Sequence, residues 1–187
     1  YTGEDTLSLH DALPIYEGIN YKNFMGDAFS YEMKDEVIKY IKEEFGQVDL
    51  VIYSLASGKR TDPTDGVTYT SALRSTTGGV TGPTVDLDTD SIYTQTMENA
   101  SEEELKATVK VMGGEDWDMW IKALAEAGCL TEGAKTFAYS YIGPKLTSGI
   151  YKDGTIGAAK RHLEQTATNL NTYLKEKLIK MENHDRI

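Results

Sequence analysis

Cysteine and histidine are scarce in this chain of 187 residues, which carries one cysteine and three histidines. Cys129 has no partner for an internal disulfide, and its place after Gly128 at an expected helix end favours a packing role over a nucleophilic one. The three histidines are scattered, and no Cys/His cluster has the spacing of zinc ligands. The sequence therefore predicts neither a disulfide framework nor a metal site.

Positive charge is also in short supply, since 19 Lys and Arg face 30 Asp and Glu and the formal net charge is −11. Such an excess repels polyphosphates and anionic lipid headgroups, so nucleic acid and membrane surfaces are disfavoured as partners. No window reaches the roughly 18 apolar residues that a membrane span needs. A length of 187 residues suffices for one well-cored domain, and without a candidate membrane span we expect the protein in the cytoplasm. We also expect it to be monomeric.

The stretch 137–160, FAYSYIGPKLTSGIYKDGTIGAAK, carries the clearest chemical pattern. Aromatic and small residues alternate up to Tyr141, and this period of two predicts a strand over residues 135–141. A glycine–proline pair then breaks the strand, and an irregular run leads through Tyr151 to a long helical pattern that carries Lys160. A phenol and an ammonium near the mouth of a strand–loop–helix unit suit proton delivery to a substrate.

The spacing of Tyr151 and Lys160 makes a structural demand. Nine steps of about 100° place the two side chains on opposite faces of one continuous helix, so they meet only if Tyr151 lies in a loop before the helix. We therefore predict a helix start between Asp153 and Ile156, with Asp153 or Thr155 as the N-cap. The alternative on spacing alone is an incidental pair in a chain with 12 tyrosines.

The segment YIGPKLTSGIYKDGTIGAAK resembles the active-site segment of the NADH-dependent trans-2-enoyl-CoA and enoyl-acyl-carrier-protein reductases, which are atypical relatives of the short-chain dehydrogenases. The family signature is Tyr, eight residues, Lys, and Tyr151 and Lys160 match it together with the intervening glycines. The resemblance implies that these two residues are catalytic and that Lys160 also binds the cofactor ribose. It further implies that Tyr141 binds the substrate.

Two further segments resemble parts of the family that bind NADH. An expected short strand at residues 21–25 runs into Gly-Asp-Ala, and in the family the matching Asp-Ala pair contacts the adenine. The apolar strand VDLVIY at residues 48–53 ends in small residues, where the family places the nicotinamide-side ribose. A turn or helix cap is the alternative role for Asp27. The cofactor-binding residues that the resemblance implies are Asp27, Ala28, Leu55, Ala56 and Lys160.

The same resemblance implies an α/β fold, a partial Rossmann-like parallel sheet with helical and hairpin insertions. The family is much longer than this chain, and the glycine-rich pyrophosphate loop and the first βαβ unit have no counterpart here. We therefore expect residues 16–187 to be a central fragment of one reductase domain, inactive in isolation. Residues 1–15 do not resemble the family and look like translated vector sequence, a divergent native segment being the alternative.

Periodicity and turn signals predict the remaining elements. Helices are expected at residues 30–45, after a capping box at 101–104, at 115–127 and beyond Lys160, and a hairpin is expected to pair 84–87 with 92–97. The two tryptophans at 117 and 120 fit core packing better than an acyl pocket. Lys59 and Arg60 come shortly after the strand at residues 48–53. Their side chains could face the cofactor phosphates, but a solvent-exposed pair is favoured.

The implied reaction is reduction of the 2,3 double bond of a trans-2-enoyl thioester by NADH. Tyr151 would protonate the enolate, since a free phenol has a pKa near 10 and keeps its proton at neutral pH. Lys160 would stabilise the phenolate, and Tyr141 would bind the thioester carbonyl as in an oxyanion hole. The enoyl group would be carried by CoA or acyl-carrier protein. Both carriers are anionic, and four cations offset the net negative charge nearby: Lys145, Lys152, Lys160 and Arg161.

Two rival functions stay open at this stage. One is a non-catalytic acidic α/β binding module or an inactive fragment. The other is a short-chain carbonyl reductase, whose Tyr-x3-Lys pair shares one helix face, although this chain has Thr155 where that lysine would stand.

Overall fold

The computed structural model describes residues 18–141, 145 and 148–184, so the expected non-native segment at residues 1–15 lies outside the described part of the chain. This part of the chain contains helices and both parallel and antiparallel strands. In chain order the elements are α1 (Tyr31–Glu44), β1 (Val48–Tyr53), β2 (Lys59–Thr61), β3 (Thr68–Thr70), β4 (Val80–Asp86), β5 (Ser91–Met97), α2 (Glu102–Met112), α3 (Glu115–Glu126), β6 (Leu130–Ala138), α4 (Ser148–Tyr151) and α5 (Thr155–His184).

A parallel pair formed by β1 and β6 is the centre of the fold. Its register runs to Ile52 beside Phe137 and Tyr53 beside Ala138, after an irregularity near the start where Gly133 takes a positive φ of 76°. The long connection between the two strands holds the antiparallel β2–β3 and β4–β5 hairpins and helices α2 and α3. The expected α/β fold, with a parallel sheet and helical and hairpin insertions, is confirmed.

The first three helices begin and end where their sequence signals predict. The Ser30 hydroxyl accepts the backbone N–H of Met33 at 3.1 Å and caps α1, and Gly46 follows its end with a φ of 74°. At the start of α2, Ser101 and Glu104 exchange the two hydrogen bonds of a capping box. None of the described helices has the length and apolarity to cross a lipid bilayer.

The core lies between α3, the parallel sheet and α5. Trp117 is 4% exposed and its indole N–H donates to the Thr136 hydroxyl at 2.9 Å, so this tryptophan packs in the core as predicted. Burial raises the pKa of the Cys129 thiol, which fits its packing role. The buried residues of this cluster are Trp117, Ile121, Leu124, Ala125, Cys129, Leu130 and Leu170.

The glycine pair between α2 and α3 lets α5 pack closely against this turn. A Cβ at Gly113 would lie 2.8 Å from Nδ1 of His162, and one at Gly114 would lie 2.9 Å from the Thr166 methyl group. The backbone N–H of Gly114 also donates to Nδ1 of His162 at 3.0 Å. The two glycines therefore serve helix packing.

Two strand predictions are wrong. Residues 21–25 form no strand, because the described chain places no neighbouring strand beside them and Met25 is 90% exposed. The strand expected at residues 135–141 instead spans Leu130–Ala138. β6 ends there because its pairing partner β1 ends at Tyr53. The last hydrogen bond between the two segments runs from the N–H of Tyr139 to the carbonyl of Tyr53 at 3.3 Å.

The prediction of a solvated Lys59–Arg60 pair holds for the exposed Lys59 and is wrong for Arg60. The guanidinium of Arg60 is 1% exposed and donates to the Glu115 carboxylate and to the Lys110 carbonyl, both at 2.7 Å. The Lys110 ammonium in turn lies 2.6 Å from Asp62 and 2.8 Å from Glu115. These four charges join the β2–β3 hairpin to α2 and α3.

Asp62→Asn is expected to lower the free energy of unfolding by about 2 kcal/mol at neutral pH, because it removes the fully buried carboxylate that accepts a hydrogen bond from Lys110, although Glu115 still pairs with Lys110. Burial alone would raise the pKa of Asp62, but hydrogen bonds from Lys110 and Thr64 overcome it and hold that pKa well below its usual range. A depressed folded-state pKa gives stability that is present above the unfolded value near 4 and is lost as the pH falls. The difference from wild type should therefore shrink below about pH 4.

Urea unfolding at a series of pH values measures this effect, with Asp65→Asn in the same turn as the control, since Asp65 is exposed. A loss of stability in Asp62→Asn that does not change with pH would contradict the assigned ion pairs.

Candidate active site

The three residues assigned to catalysis and substrate binding meet in the structure. The rings of Tyr141 and Tyr151 pack edge to face with centroids 5.7 Å apart. The Lys160 ammonium nitrogen lies 5.4 Å from the centroid of the Tyr151 ring and 5.5 Å from that of Tyr141. It also donates a hydrogen bond to the backbone carbonyl of Tyr141. A phenol, an ammonium and a second phenol thus share one place.

A break between two helices allows this convergence. Tyr151 is the last residue of the single turn α4, and α5 begins at Thr155, inside the predicted interval. Tyr151 therefore ends a short helical turn instead of lying in an irregular loop, but it stands outside the long helix as the spacing demands. The N-cap prediction is wrong, because Thr155 is already helical and Gly154, not Asp153, directly precedes the helix.

Hydrogen bonds from residues 72–76 hold this break in place, and no local sequence pattern predicts them. Thr155 is fully buried, its hydroxyl donates to the carbonyl of Ala72, and its N–H donates to the carbonyl of Arg74 at 3.0 Å. The Thr76 hydroxyl donates to the carbonyl of Asp153. These bonds explain why Thr155 does not cap its own helix: its hydroxyl bonds to a distant strand-like segment.

Gly157 permits the close approach of the turn to the first turn of α5. A Cβ at this position would collide with the carbonyl group of Lys152 and lie 3.0 Å from its Cα. The same carbonyl accepts a hydrogen bond from the Arg161 guanidinium at 3.1 Å. The path of the chain between Tyr151 and Lys160 therefore depends on the missing side chain.

A cavity of about 560 Å³ opens beside the three site residues. Four cationic side chains and two carboxylates line it, so the local charge is positive in a chain of net charge −11. The charged lining residues are Lys145, Lys152, Lys160 and Arg161, with Asp153 and Glu164.

Two of the residues assigned to the cofactor line a second hollow of about 400 Å³, which follows β1 between α1 and α3. Ala28 and Leu55 line this hollow, whereas Asp27 and Ala56 are not among its lining residues. The Asp27 carboxylate accepts the N–H of Phe29 at 2.9 Å in the turn before α1, which is the alternative role foreseen for it. Since β1 and β6 are parallel, Leu55 and Tyr141 both follow carboxyl ends of strands at one edge of the sheet.

A buried polar cluster behind this hollow escaped the sequence reasoning. Lys34 and Asp116 are each 2% exposed and form an ion pair at 2.7 Å. The Tyr53 hydroxyl donates to Asp116 at 3.2 Å, and burial together with the carboxylate's charge raises the pKa of this phenol well above its usual value. In the sequence Lys34 follows Met33 of the apolar stripe and looks like part of the solvated face, so only the fold reveals the pair.

This chain is similar in sequence to known NADH-dependent enoyl reductases. The family model described as "Trans-2-enoyl-CoA reductase catalytic region" matches residues 9–182. The chain is 53% identical over 162 residues to a trans-2-enoyl-CoA reductase [NADH] of Clostridium beijerinckii, covering 87% of this chain and 41% of that protein. It is 54% identical over 158 residues to an enoyl-[acyl-carrier-protein] reductase [NADH] of Cytophaga hutchinsonii, covering 84% and 40%.

The fold of this chain is also similar to that of a solved trans-2-enoyl-CoA reductase. The crystal structure of Treponema denticola trans-2-enoyl-CoA reductase in complex with NAD superposes with a TM-score of 0.84 at 48% identity, covering 88% of this chain and 41% of that one. The chain thus spans about 40% of the length of the curated relatives it matches.

Proposed function

The chain belongs to the trans-2-enoyl-CoA reductase family, and we propose that the whole protein uses NADH to reduce the 2,3 double bond of trans-2-enoyl thioesters in fatty acid metabolism. The observation that carries the proposal is the convergence of Tyr141, Tyr151 and Lys160 at one cavity. The family names of the relatives support the substrate class, and the NAD-bound neighbour supports the cofactor.

The proposed chemistry assigns one role to each of the three side chains. When bound, the nicotinamide supplies a hydride to the β-carbon of the substrate. The electron pair of the double bond then moves toward the thioester oxygen, where the Tyr141 phenol donates a hydrogen bond and stabilises the developing enolate. The O–H bond of Tyr151 breaks as its proton passes to the α-carbon, completing the reduction. The nearby Lys160 ammonium stabilises the phenolate that remains on Tyr151.

The hollow along β1 is the candidate place for part of NADH. The lining of the hollow along β1, which includes Ala28 and Leu55, is mostly apolar, and an apolar lining suits the face of a planar base. We propose that Asp27 and Ala28 lie at the adenine, that Leu55 and Ala56 lie at the nicotinamide-side ribose, and that the Lys160 ammonium bonds that ribose. Small residues at the end of β1 allow the close approach that a dinucleotide needs.

The cations at the cavity are proposed to attract the anionic carrier, CoA or acyl-carrier protein. Lys145→Glu is therefore expected to raise KM for an enoyl-CoA about fivefold, with kcat unchanged and with a smaller effect at high salt. Steady-state kinetics at two ionic strengths measures this. Lys175→Glu is the control, since it changes the net charge equally but lies exposed on α5 and does not line the cavity. Equal effects of the two variants would contradict local steering.

A short-chain carbonyl reductase is the weaker candidate. Its lysine would occupy position 155, where Thr155 is fully buried and hydrogen-bonded to residues 72–74. The packing of two phenols around an ammonium favours a catalytic site over a non-catalytic binding module. Location in the cytoplasm, a monomeric state and the absence of nucleic-acid and membrane partners remain proposals that rest on composition and charge.

The direct test supplies the whole protein with NADH and either a trans-2-enoyl-CoA or a ketone and follows NADH absorbance. The whole protein is needed because Leu50, Ile52 and Phe137 on the parallel strands are 50%, 51% and 56% exposed, whereas parallel sheets are normally covered on both faces. We expect NADH oxidation with the enoyl thioester alone. Oxidation only with the ketone would contradict the proposal.

A further inference from the structure

The buried pair of Lys34 and Asp116 is not explained by stability. Burial raises the pKa of the Asp116 carboxyl, while the Lys34 ammonium opposes that effect. Moving two charges into the interior costs about as much as their attraction returns, so an apolar pair of similar volume would support the fold as well or better. The other hydrogen bonds that Lys34 and Asp116 make therefore indicate a second role for the pair.

The Lys34 ammonium also holds the turn that precedes α1. It donates to the carbonyl of Phe29 at 2.8 Å and to that of Ala28 at 3.3 Å. The Ala28 carbonyl accepts a second hydrogen bond, from the indole N–H of Trp120 at 3.1 Å. Two donors from different helices thus fix one peptide group beside the hollow along β1.

The other half of the pair holds the opposite wall. Asp116 accepts the Tyr53 hydroxyl at 3.2 Å, and Tyr53 is the last residue of β1, directly before the segment that ends in Leu55. The Tyr53 ring also stacks on Trp117 with centroids 6.4 Å apart. One ammonium–carboxylate pair therefore links the turn at Ala28 to the end of β1, the two places that contribute Ala28 and Leu55 to the hollow.

We propose that Lys34 is a positioning residue for the dinucleotide, which holds the Ala28 turn directly and the end of β1 through Asp116 and Tyr53. The inference rests on the proposed function, because its ligand is NADH. Lys34 does not line the hollow and its ammonium already contacts three oxygens, so it acts through its partners instead of touching the cofactor. Loosening either wall is expected to weaken NADH binding while leaving the proton-donating pair intact.

The test is the variant Lys34→Met/Asp116→Asn of the whole protein, which removes both charges and keeps side-chain volume and an acceptor for Tyr53. Fluorescence titration should show the Kd for NADH raised about tenfold, the effect expected when the two hydrogen bonds from Lys34 to the Ala28 turn are lost. At saturating NADH, kcat should stay within about twofold of wild type, because the catalytic residues are untouched. Thermal unfolding should show a Tm close to wild type.

Two further variants make the result decisive. Lys39→Met on the same helix is the control, since the Lys39 side chain is 75% exposed, and this variant should bind NADH like wild type. Tyr53→Phe keeps the ring and removes only the hydroxyl, and it should raise the Kd about threefold even if the double variant does not fold. An unchanged Kd in Tyr53→Phe, or a lower Tm with an unchanged Kd in the double variant, would overturn the inference. A wild-type protein that fails to bind NADH would overturn the proposed function and this inference with it.

Discussion

Tyr151→Phe in the whole protein is expected to lower kcat by about three orders of magnitude while NADH binds with wild-type affinity. The substitution keeps the aromatic ring that packs 5.7 Å from the Tyr141 ring and near the Lys160 ammonium, so the shape of the site is preserved. It removes only the O–H group that would donate the proton to the enolate. Steady-state kinetics together with a fluorescence titration of NADH separates the two effects.

Tyr139→Phe is the matched control, because Tyr139 is 75% exposed and does not line the cavity. It should show wild-type kcat and KM. Turnover at the wild-type rate in Tyr151→Phe would remove the phenol from the mechanism.

The second large effect is expected from Gly157→Ala, where two forces oppose each other. Alanine is favoured over glycine inside a helix by about 1 kcal/mol, so on propensity alone the variant would be more stable. The new Cβ would collide with the Lys152 carbonyl, which must move and take the neighbouring Tyr151 with it. Since a shift of about 1 Å at a reacting group costs about a hundredfold, kcat should fall by that factor.

Gly149→Ala provides the control for this variant. Gly149 belongs to α4, and within the described part of the chain an added Cβ there would contact the Val80 side chain alone, at an ordinary contact distance of 3.6 Å. Its kinetics should match wild type. Normal turnover in Gly157→Ala would show that the path of the chain between Tyr151 and Lys160 does not set the geometry of the site.

The convergence of Tyr151 and Lys160 is a feature that the sequence predicted and the structure shows. Two residues nine positions apart lie on opposite faces of a helix. The break before Thr155 could therefore be predicted from the sequence alone. The chemical identity of the pair came from resemblance, since spacing alone left an incidental pair open. The amphipathic stripe of α1 and the capping box of α2 are similarly local signals.

The residues that position the site were beyond sequence reasoning for a physical reason. The bonds of Thr155 to Ala72 and Arg74, and of Lys34 to Asp116, join residues about 80 positions apart. From sequence alone, a hydroxyl residue at the start of a helix is interpreted as its N-cap, and a lysine on a helix is interpreted as solvent-exposed. Only the segment that packs against each of them shows otherwise. The wrong strand at residues 21–25 has the same origin, because a strand exists only with a neighbour to pair with.

In the proposed reaction, hydride from NADH reaches the β-carbon and a proton delivered by Tyr151 reaches the α-carbon. Incubating the whole protein with a trans-2-enoyl-CoA and NADH deuterated at its transferable position, and in a second reaction with unlabelled NADH in D₂O, locates both atoms by NMR of the product. We predict deuterium at C3 in the first reaction and at C2 in the second. Deuterium from NADH at C2, or a product without label from NADH, would contradict the account.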